Sequence, residues 1–155
     1  VAALFLDDRP DKPIRERKLT EWDSSCCLIV LKDGRILKIP EGPLILPSVT
    51  IFGMVALAKQ RGIVVEEREV AYGELVDWVE RDEVVTVCSI GTAGILNRCS
   101  TLYLVNEKNT KIAELHSDTT HPLYDALAEM RQAYWSIYKG LYTPPSELTL
   151  ERHIL

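Results

Sequence analysis

The apolar positions of this chain recur at two spacings, and the spacing assigns the elements. Residues 2–6 are a short apolar run of strand length, closed by the turn-rich Asp7-Asp8-Arg9-Pro10-Asp11-Lys12-Pro13. Residues 14–22 are charged and extend as an exposed strand. Residues 26–31 are continuously apolar, Lys32-Asp33-Gly34 is a hairpin turn whose glycine accepts a positive φ, and residues 35–39 return as the partner strand. A loop over 40–47 holds a glycine and bounding prolines. It leads to residues 49–61, where Ile51, Val55 and Ala58, with Phe52 and Ala56, fall at helical spacing before Gly62.

Residues 63–70 read as a strand with a solvated end, and residues 74–81 as a helix with Leu75, Trp78 and Val79 on one face. The β-branched run 84–88 predicts a buried strand entering a small-residue turn, Ser89-Ile90-Gly91-Thr92-Ala93-Gly94. Residues 101–105 and 111–115 flank Asn106-Glu107-Lys108-Asn109 as a second hairpin. A final helix places Leu123, Leu127, Met130, Tyr134, Ile137 and Tyr138 on one side and stops near Gly140. Hairpins outnumber βαβ units, which predicts an α+β fold with a curved, mostly antiparallel sheet covered by helices on one side. Residues 143–155 read as an extended, Pro-containing linker followed by a short helix.

Composition narrows the classes. A chain of 155 residues with 46% hydrophobic and 26% charged content is one ordinary globular domain. Lys and Arg total 18 against 23 Asp and Glu, for a net charge of −5, and no basic stretch collects, which argues against a nucleic-acid partner. No apolar run approaches the roughly 20 residues that span a bilayer, so no membrane partner is expected. The cysteines at 26, 27, 88 and 99 form no CxxC pair and suggest reduced thiols in the cytoplasm, or in an organelle, over a disulfide framework. The opening Val-Ala-Ala-Leu-Phe-Leu carries no initiator Met and no signal-peptide pattern, and reads as the middle of a longer protein.

Two loops have the makings of anion sites. Leu46-Pro47-Ser48-Val49-Thr50 opens a helix, where free amides, the positive dipole end and the Thr50 hydroxyl favour a phosphate. In Gly91-Thr92-Ala93-Gly94, small residues let successive amides approach a ligand. Read singly, each serves as well as an ordinary cap or turn. Glu21, beside Trp22 and before a buried run, reads singly as a surface carboxylate at a strand end. His116 and His121 bracket Ser117-Asp118-Thr119-Thr120 without metal-ligand spacing and read as loop residues; no metal site is expected.

Taken in order, these pieces resemble a family. Glu21 before small hydroxyl residues and an apolar strand, Lys32-Asp33-Gly34, Leu44-Ile45-Leu46-Pro47-Ser48-Val49-Thr50, Gly62-Ile63-Val64-Val65-Glu66-Glu67-Arg68, Glu74-Leu75, Asp82-Glu83-Val84-Val85, Gly91-Thr92-Ala93 and Leu123-Tyr124-Asp125-Ala126-Leu127 are similar to the C-terminal half of the fold-type IV pyridoxal-phosphate enzymes. That family includes branched-chain aminotransferases, D-amino-acid aminotransferases and aminodeoxychorismate lyases. The resemblance covers about residues 2–135 and implies a mostly antiparallel pseudo-barrel sheet flanked by helices, with residues 1–142 as the cofactor-binding domain and 143–155 as a tail.

It further implies that Glu21 meets the protonated pyridine nitrogen of pyridoxal 5'-phosphate, a charge-assisted contact that keeps the ring electron-accepting. Val49 and Thr50 would bind the phosphate, Thr92 would add a donor, the amides of Ala93 and Gly94 would face the substrate carboxylate, and Ser24 and Ser25 would line the cofactor's back side. Amino-acid and 2-oxo acid substrates and a homodimer follow as expectations. Departures stand beside the matches: Ile51 where Arg is common, Cys26 where Asn is usual, and Trp22, Asp23 and Ile90 where small residues are usual. The family's Schiff-base lysine lies upstream of the resembling segment, and none of this chain's eight lysines stands at a matching position, so the chain alone is expected to be inactive.

The expected function is thus a fragment of a branched-chain aminotransferase passing an amino group to 2-oxoglutarate. Gly91-Thr92-Ala93, Val65-Glu66-Glu67-Arg68 and the Leu123 to Leu127 helix favour the branched-chain class, whereas Thr20-Glu21-x-x-Ser24-Ser25 leans to the D-amino-acid or lyase branches. A degenerate, non-catalytic dimerisation or binding domain is the alternative of another kind.

Overall fold

A computed structural model describes residues 1–146. The elements run β1 (Leu4–Leu6), a 3-10 turn (Ile14–Glu16), β2 (Leu19–Trp22), β3 (Cys26–Leu31), β4 (Arg35–Lys38), α1 (Val49–Gln60), β5 (Val64–Glu67), α2 (Tyr72–Glu80), β6 (Val84–Gly91), β7 (Ile95–Arg98), β8 (Thr101–Val105), β9 (Lys111–His116) and α3 (Pro122–Tyr138). A five-stranded sheet, ordered β5-β4-β3-β6-β7, is flanked by the ribbons β1-β2 and β8-β9. Pairing is antiparallel except between β4 and β5, which are parallel because α1 carries the chain back between them. This is the expected α+β, mostly antiparallel arrangement.

The unbroken apolar run of β3 is explained by burial on both faces. Cys26, Leu28 and Val30 face one core with Met54 and Leu57 of α1 and Leu127 and Met130 of α3. Cys27, Ile29 and Leu31 face a second core with Leu75 and Val76 of α2, Trp22 of β2, Leu104 of β8 and Leu115 of β9. Helices therefore cover both faces, correcting the expectation of one. A strand with a single covered face would show alternation; β3 shows none because each face meets its own layer. Opposite β3, Val30 pairs with Thr86 and Leu31 with Val84, so Val85 is an extra residue that shifts the register.

Local chemistry fixes the ends. Gly34 takes φ +100° in the Lys32-Asp33-Gly34 turn, and Gly62, at φ +71°, follows α1 in the left-handed conformation that ends a helix. Residues 14–22 are not one exposed strand: a 3-10 turn occupies Ile14–Glu16, and Leu19, Thr20 and Trp22 are buried. Of the charges that suggested exposure, Arg15 and Glu16 belong to the turn, Arg17 and Lys18 to the link after it, and only Glu21 to β2. On the last helix Leu127 and Met130 are buried and Tyr134 and Ile137 pack against the same core, but Tyr138 is largely exposed. The short helix expected near the C-terminus falls on 147–155, outside the described residues. No helix among the described residues is long and apolar enough to cross a membrane.

Candidate functional site

Helix α1 begins at a polar cap. Ser48 is extended (φ −127°, ψ 120°), and its Oγ accepts the Ile51 amide at 3.3 Å. The Val49 and Thr50 amides come before the first helical acceptor, and among the described residues neither has a partner. The Thr50 hydroxyl has none either, although Thr50 is buried. Three donors thus gather at the positive end of a 12-residue helix, and that donor set fits a phosphate group. Ile51, where the family commonly has Arg, turns into the core and offers no charge.

Glu21 stands on β2 opposite in facing to Trp22. The Trp22 side chain is buried, and its Nε1 donates to the Cys88 carbonyl at 3.0 Å. Its backbone amide donates to Ser25 O at 2.8 Å, tightening the turn into β3. With Trp22 locked inward, alternation sends Glu21 the other way, where Oε2 accepts the Leu46 amide at 3.3 Å. Leu46 is three residues before Val49, so this bond ties the Glu21 strand to the approach of α1. Glu21 has no cationic partner among the described residues. An unpaired carboxylate in this position fits a protonated ring nitrogen. Cys26 lies alongside, its Sγ 3.7 Å from Leu46 O; burial pushes its thiol above the ordinary value, and the Glu21 charge adds to the rise. It is a packing thiol, not a nucleophile.

The second loop is shorter than expected. The β6 strand continues through Ser89, Ile90 and Gly91, the turn is confined to Thr92, Ala93 and Gly94, and β7 returns antiparallel with Gly91 paired to Ile95. Ile95 adopts φ +61° where the hairpin closes. Small residues in Ser89-Ile90-Gly91 suggested a turn, but Ile90 is fully buried and draws the segment into the sheet. Gly91 allows close approach: a Cβ there would lie 3.1 Å from the Cβ of Ser25, tighter than an ordinary contact. Ser25 therefore borders this hairpin. Ser24 is exposed, its Oγ 3.4 Å from Asp23 Oδ1.

Thr92 and Ala93 are exposed and Gly94 is half-buried, with its carbonyl accepting Arg131 Nε at 3.2 Å. Glu21 is thus joined to the α1 approach and Ser25 to the second hairpin. No hydrogen bond among the described residues joins Thr92, Ala93 or Gly94 directly to Glu21, Val49 or Thr50. Sequence reasoning missed Arg131; its signal was a lone cation on an otherwise mixed helix face.

The remaining candidates are structural. His121 caps α3, its Nδ1 accepting the Leu123 amide at 3.2 Å, and Nε2 lies 3.2 Å from Lys32 O. His116 pairs with Glu114 at 2.9 Å. No cluster of three or more metal-ligating side chains occurs among the described residues. Cys26, Cys27 and Cys88 are buried and unbridged.

No protein-family model matches the chain. A probable branched-chain-amino-acid aminotransferase of Staphylococcus aureus (strain N315) is 28% identical over 110 residues, which is 71% of this chain and 31% of that protein. Its Staphylococcus epidermidis counterpart (strain ATCC 12228) is 30% identical over 87 residues, 56% of this chain and 24% of that protein. The chain spans less than a third of the length of these curated relatives. Among solved structures, the branched-chain amino acid aminotransferase of Escherichia coli superposes with a TM-score of 0.61 at 19% identity, covering 92% of this chain and 40% of that one. The Thermobaculum terrenum enzyme in its PLP form gives 0.59 at 23% identity, covering 90% and 38%. In sequence and in fold, therefore, this chain is similar to the branched-chain-amino-acid aminotransferases, of fold type IV.

Proposed function

We propose that this chain is the cofactor-binding, C-terminal part of a pyridoxal-phosphate-dependent branched-chain-amino-acid aminotransferase, whose whole protein passes an amino group to 2-oxoglutarate as a homodimer. The observation that carries this reading is the hydrogen bond from the Leu46 amide to Glu21 Oε2, which sets a carboxylate without a cationic partner at the approach to a helix start where the Val49 and Thr50 amides and the Thr50 hydroxyl have no partner among the described residues. When bound, pyridoxal 5'-phosphate supplies an electron sink for the substrate Cα. The residues of this chain bind and orient it. Val49 and Thr50 take the phosphate through two amides and a hydroxyl, Thr92 adds a donor, and Glu21 holds a proton on the pyridine nitrogen. Ser24 and Ser25 line one face, and the Ala93 and Gly94 amides receive the substrate carboxylate.

Leu44, Leu46, Val49 and Phe52 are exposed around the α1 start. Such an apolar rim suits cover by the rest of the longer protein, which also supplies the lysine that this chain lacks at a matching position. Alone, the chain binds but does not turn over. The test is the longer protein with Glu21→Ala. Turnover should fall sharply while the visible absorbance of the bound cofactor and the melting temperature persist; unchanged turnover overturns the assignment.

A further inference from the structure

A cleft of about 630 Å³ lies between β7 and α3; Glu21, Val49, Thr50 and Thr92 do not line it, but Ala93 and Gly94 of the second hairpin do. Its walls carry Asn97 and Arg98 from β7 and Tyr124, Arg131, Gln132 and Trp135 from α3. The Arg98 guanidinium lies 3.9 Å from the Tyr124 ring centroid, and its Nη1 donates to Tyr124 O at 2.8 Å. Arg131 donates through Nε to Gly94 O at 3.2 Å. Each guanidinium has five N–H donors, so most remain free.

The charge pattern is what singles the cleft out. In a chain with more acids than bases, Arg9, Arg15, Arg17, Arg35, Arg68 and Arg81 each pair with a carboxylate. Arg61, Arg98 and Arg131 pair with none among the described residues; Arg61 caps the end of α1, whereas Arg98 and Arg131 both line the cleft, which no Asp or Glu lines. At its rim the half-exposed Trp135 ring stacks on Tyr138 at 5.5 Å, with Lys139 Nζ 5.3 Å from the same ring.

We propose that this cleft binds a small organic oxyanion, a carboxylate- or phosphate-bearing molecule, with Arg98 and Arg131 gripping the anion and Trp135 covering its carbon part. Two planar forks in a wall free of competing carboxylates match carboxylate or phosphate oxygens. Stacking on Tyr124 holds Arg98 in place before the ligand arrives, which lowers the ordering cost of binding. The cleft shares Ala93 and Gly94 with the proposed substrate loop, but Arg98 and Arg131 have no part in that reading, and their substitution tests this site without the cofactor or Glu21.

The full chain is titrated with citrate, adenosine monophosphate and inorganic phosphate, read by tryptophan fluorescence and calorimetry. Citrate or the nucleotide should bind saturably and more tightly than inorganic phosphate, which has no carbon part for Trp135; which of the two binds tells a carboxylate from a phosphate ligand. Arg131→Gln, on an exposed side chain, should weaken that binding about tenfold with an unchanged circular dichroism spectrum, and Arg98→Lys should do the same by losing the fork. Absence of saturable binding by all three probes, or equal binding by Arg131→Gln, overturns the proposal.

Discussion

Replacing Ser48 separates helix capping from anion binding at the α1 start. In Ser48→Ala the Ile51 amide loses its 3.3 Å acceptor, at a cost of about 1 kcal/mol for a lost N-cap. For a chain of this size that lowers the melting temperature by about 2–4 °C. It also lowers the urea midpoint by about 0.5 M, for a slope of about 2 kcal/mol/M. Ser48→Asp restores an equally good cap, and its charge gains about 0.3–1 kcal/mol from the helix dipole, so stability should match or exceed the parent. A phosphate on the Val49 and Thr50 amides would meet that new carboxylate. Repulsion between like charges about 4 Å apart in a water-like medium is about 1 kcal/mol, and binding should weaken about fivefold or more. Chemical denaturation measures the first effect, and calorimetric titration with 4'-deoxypyridoxine 5'-phosphate, which has no aldehyde to react with lysines, measures the second. The reasoning fails if Ser48→Asp is as unstable as Ser48→Ala, or if it binds the phosphate ester as well as the parent.

Two further substitutions probe the frame. Asp7 is buried; the Arg9 guanidinium, with the Lys18 amide, holds its carboxyl well below the usual carboxylate range. A depressed folded value means its stabilisation is present above the unfolded value of about 4 and drains away as pH falls below it. Asp7→Asn should therefore cost about 2–3 kcal/mol at pH 7 and progressively less below pH 4, as denaturant melts across pH would record; a gap that widens in acid contradicts this. Trp22→Phe keeps the ring but leaves the buried Cys88 carbonyl without its donor, for about 1–3 kcal/mol, and a loss under about 0.5 kcal/mol would show that the carbonyl finds another partner.

Much of the frame was legible because periodicity reports burial. The helix at 49–61, the Lys32-Asp33-Gly34 hairpin and the hairpin around Asn106 to Asn109 carry both the pattern and the punctuation that their geometry needs. What the pattern did not give was sidedness. A fully apolar strand such as β3 says that both faces are covered without saying by what, so α2 was placed on the same side as α1 and α3. Strand β7 was missed because Gly91, Thr92 and Gly94 read as a longer turn, and its only apolar residues, the adjacent Ile95 and Leu96, make too short a run to mark a strand.

The candidate site was legible as separate loops. Their joining depends on the contact between Glu21 and the Leu46 amide, 25 residues apart, which no local spacing encodes. The two arginines that line the β7 and α3 cleft are likewise 33 positions apart in sequence and come to one cleft only through the fold.

The central claim is that Glu21 and the start of α1 form one phosphate- and pyridine-binding place. Its most direct test is an amide-resolved NMR titration of the ¹⁵N-labelled chain with 4'-deoxypyridoxine 5'-phosphate. Saturable shifts centred on Val49 and Thr50, extending to Glu21, Leu46 and Thr92, and lost on the Glu21 and Leu46 signals in Glu21→Gln, are the predicted result. Shifts confined to other surfaces, or none at Val49 and Thr50 at saturation, would contradict it.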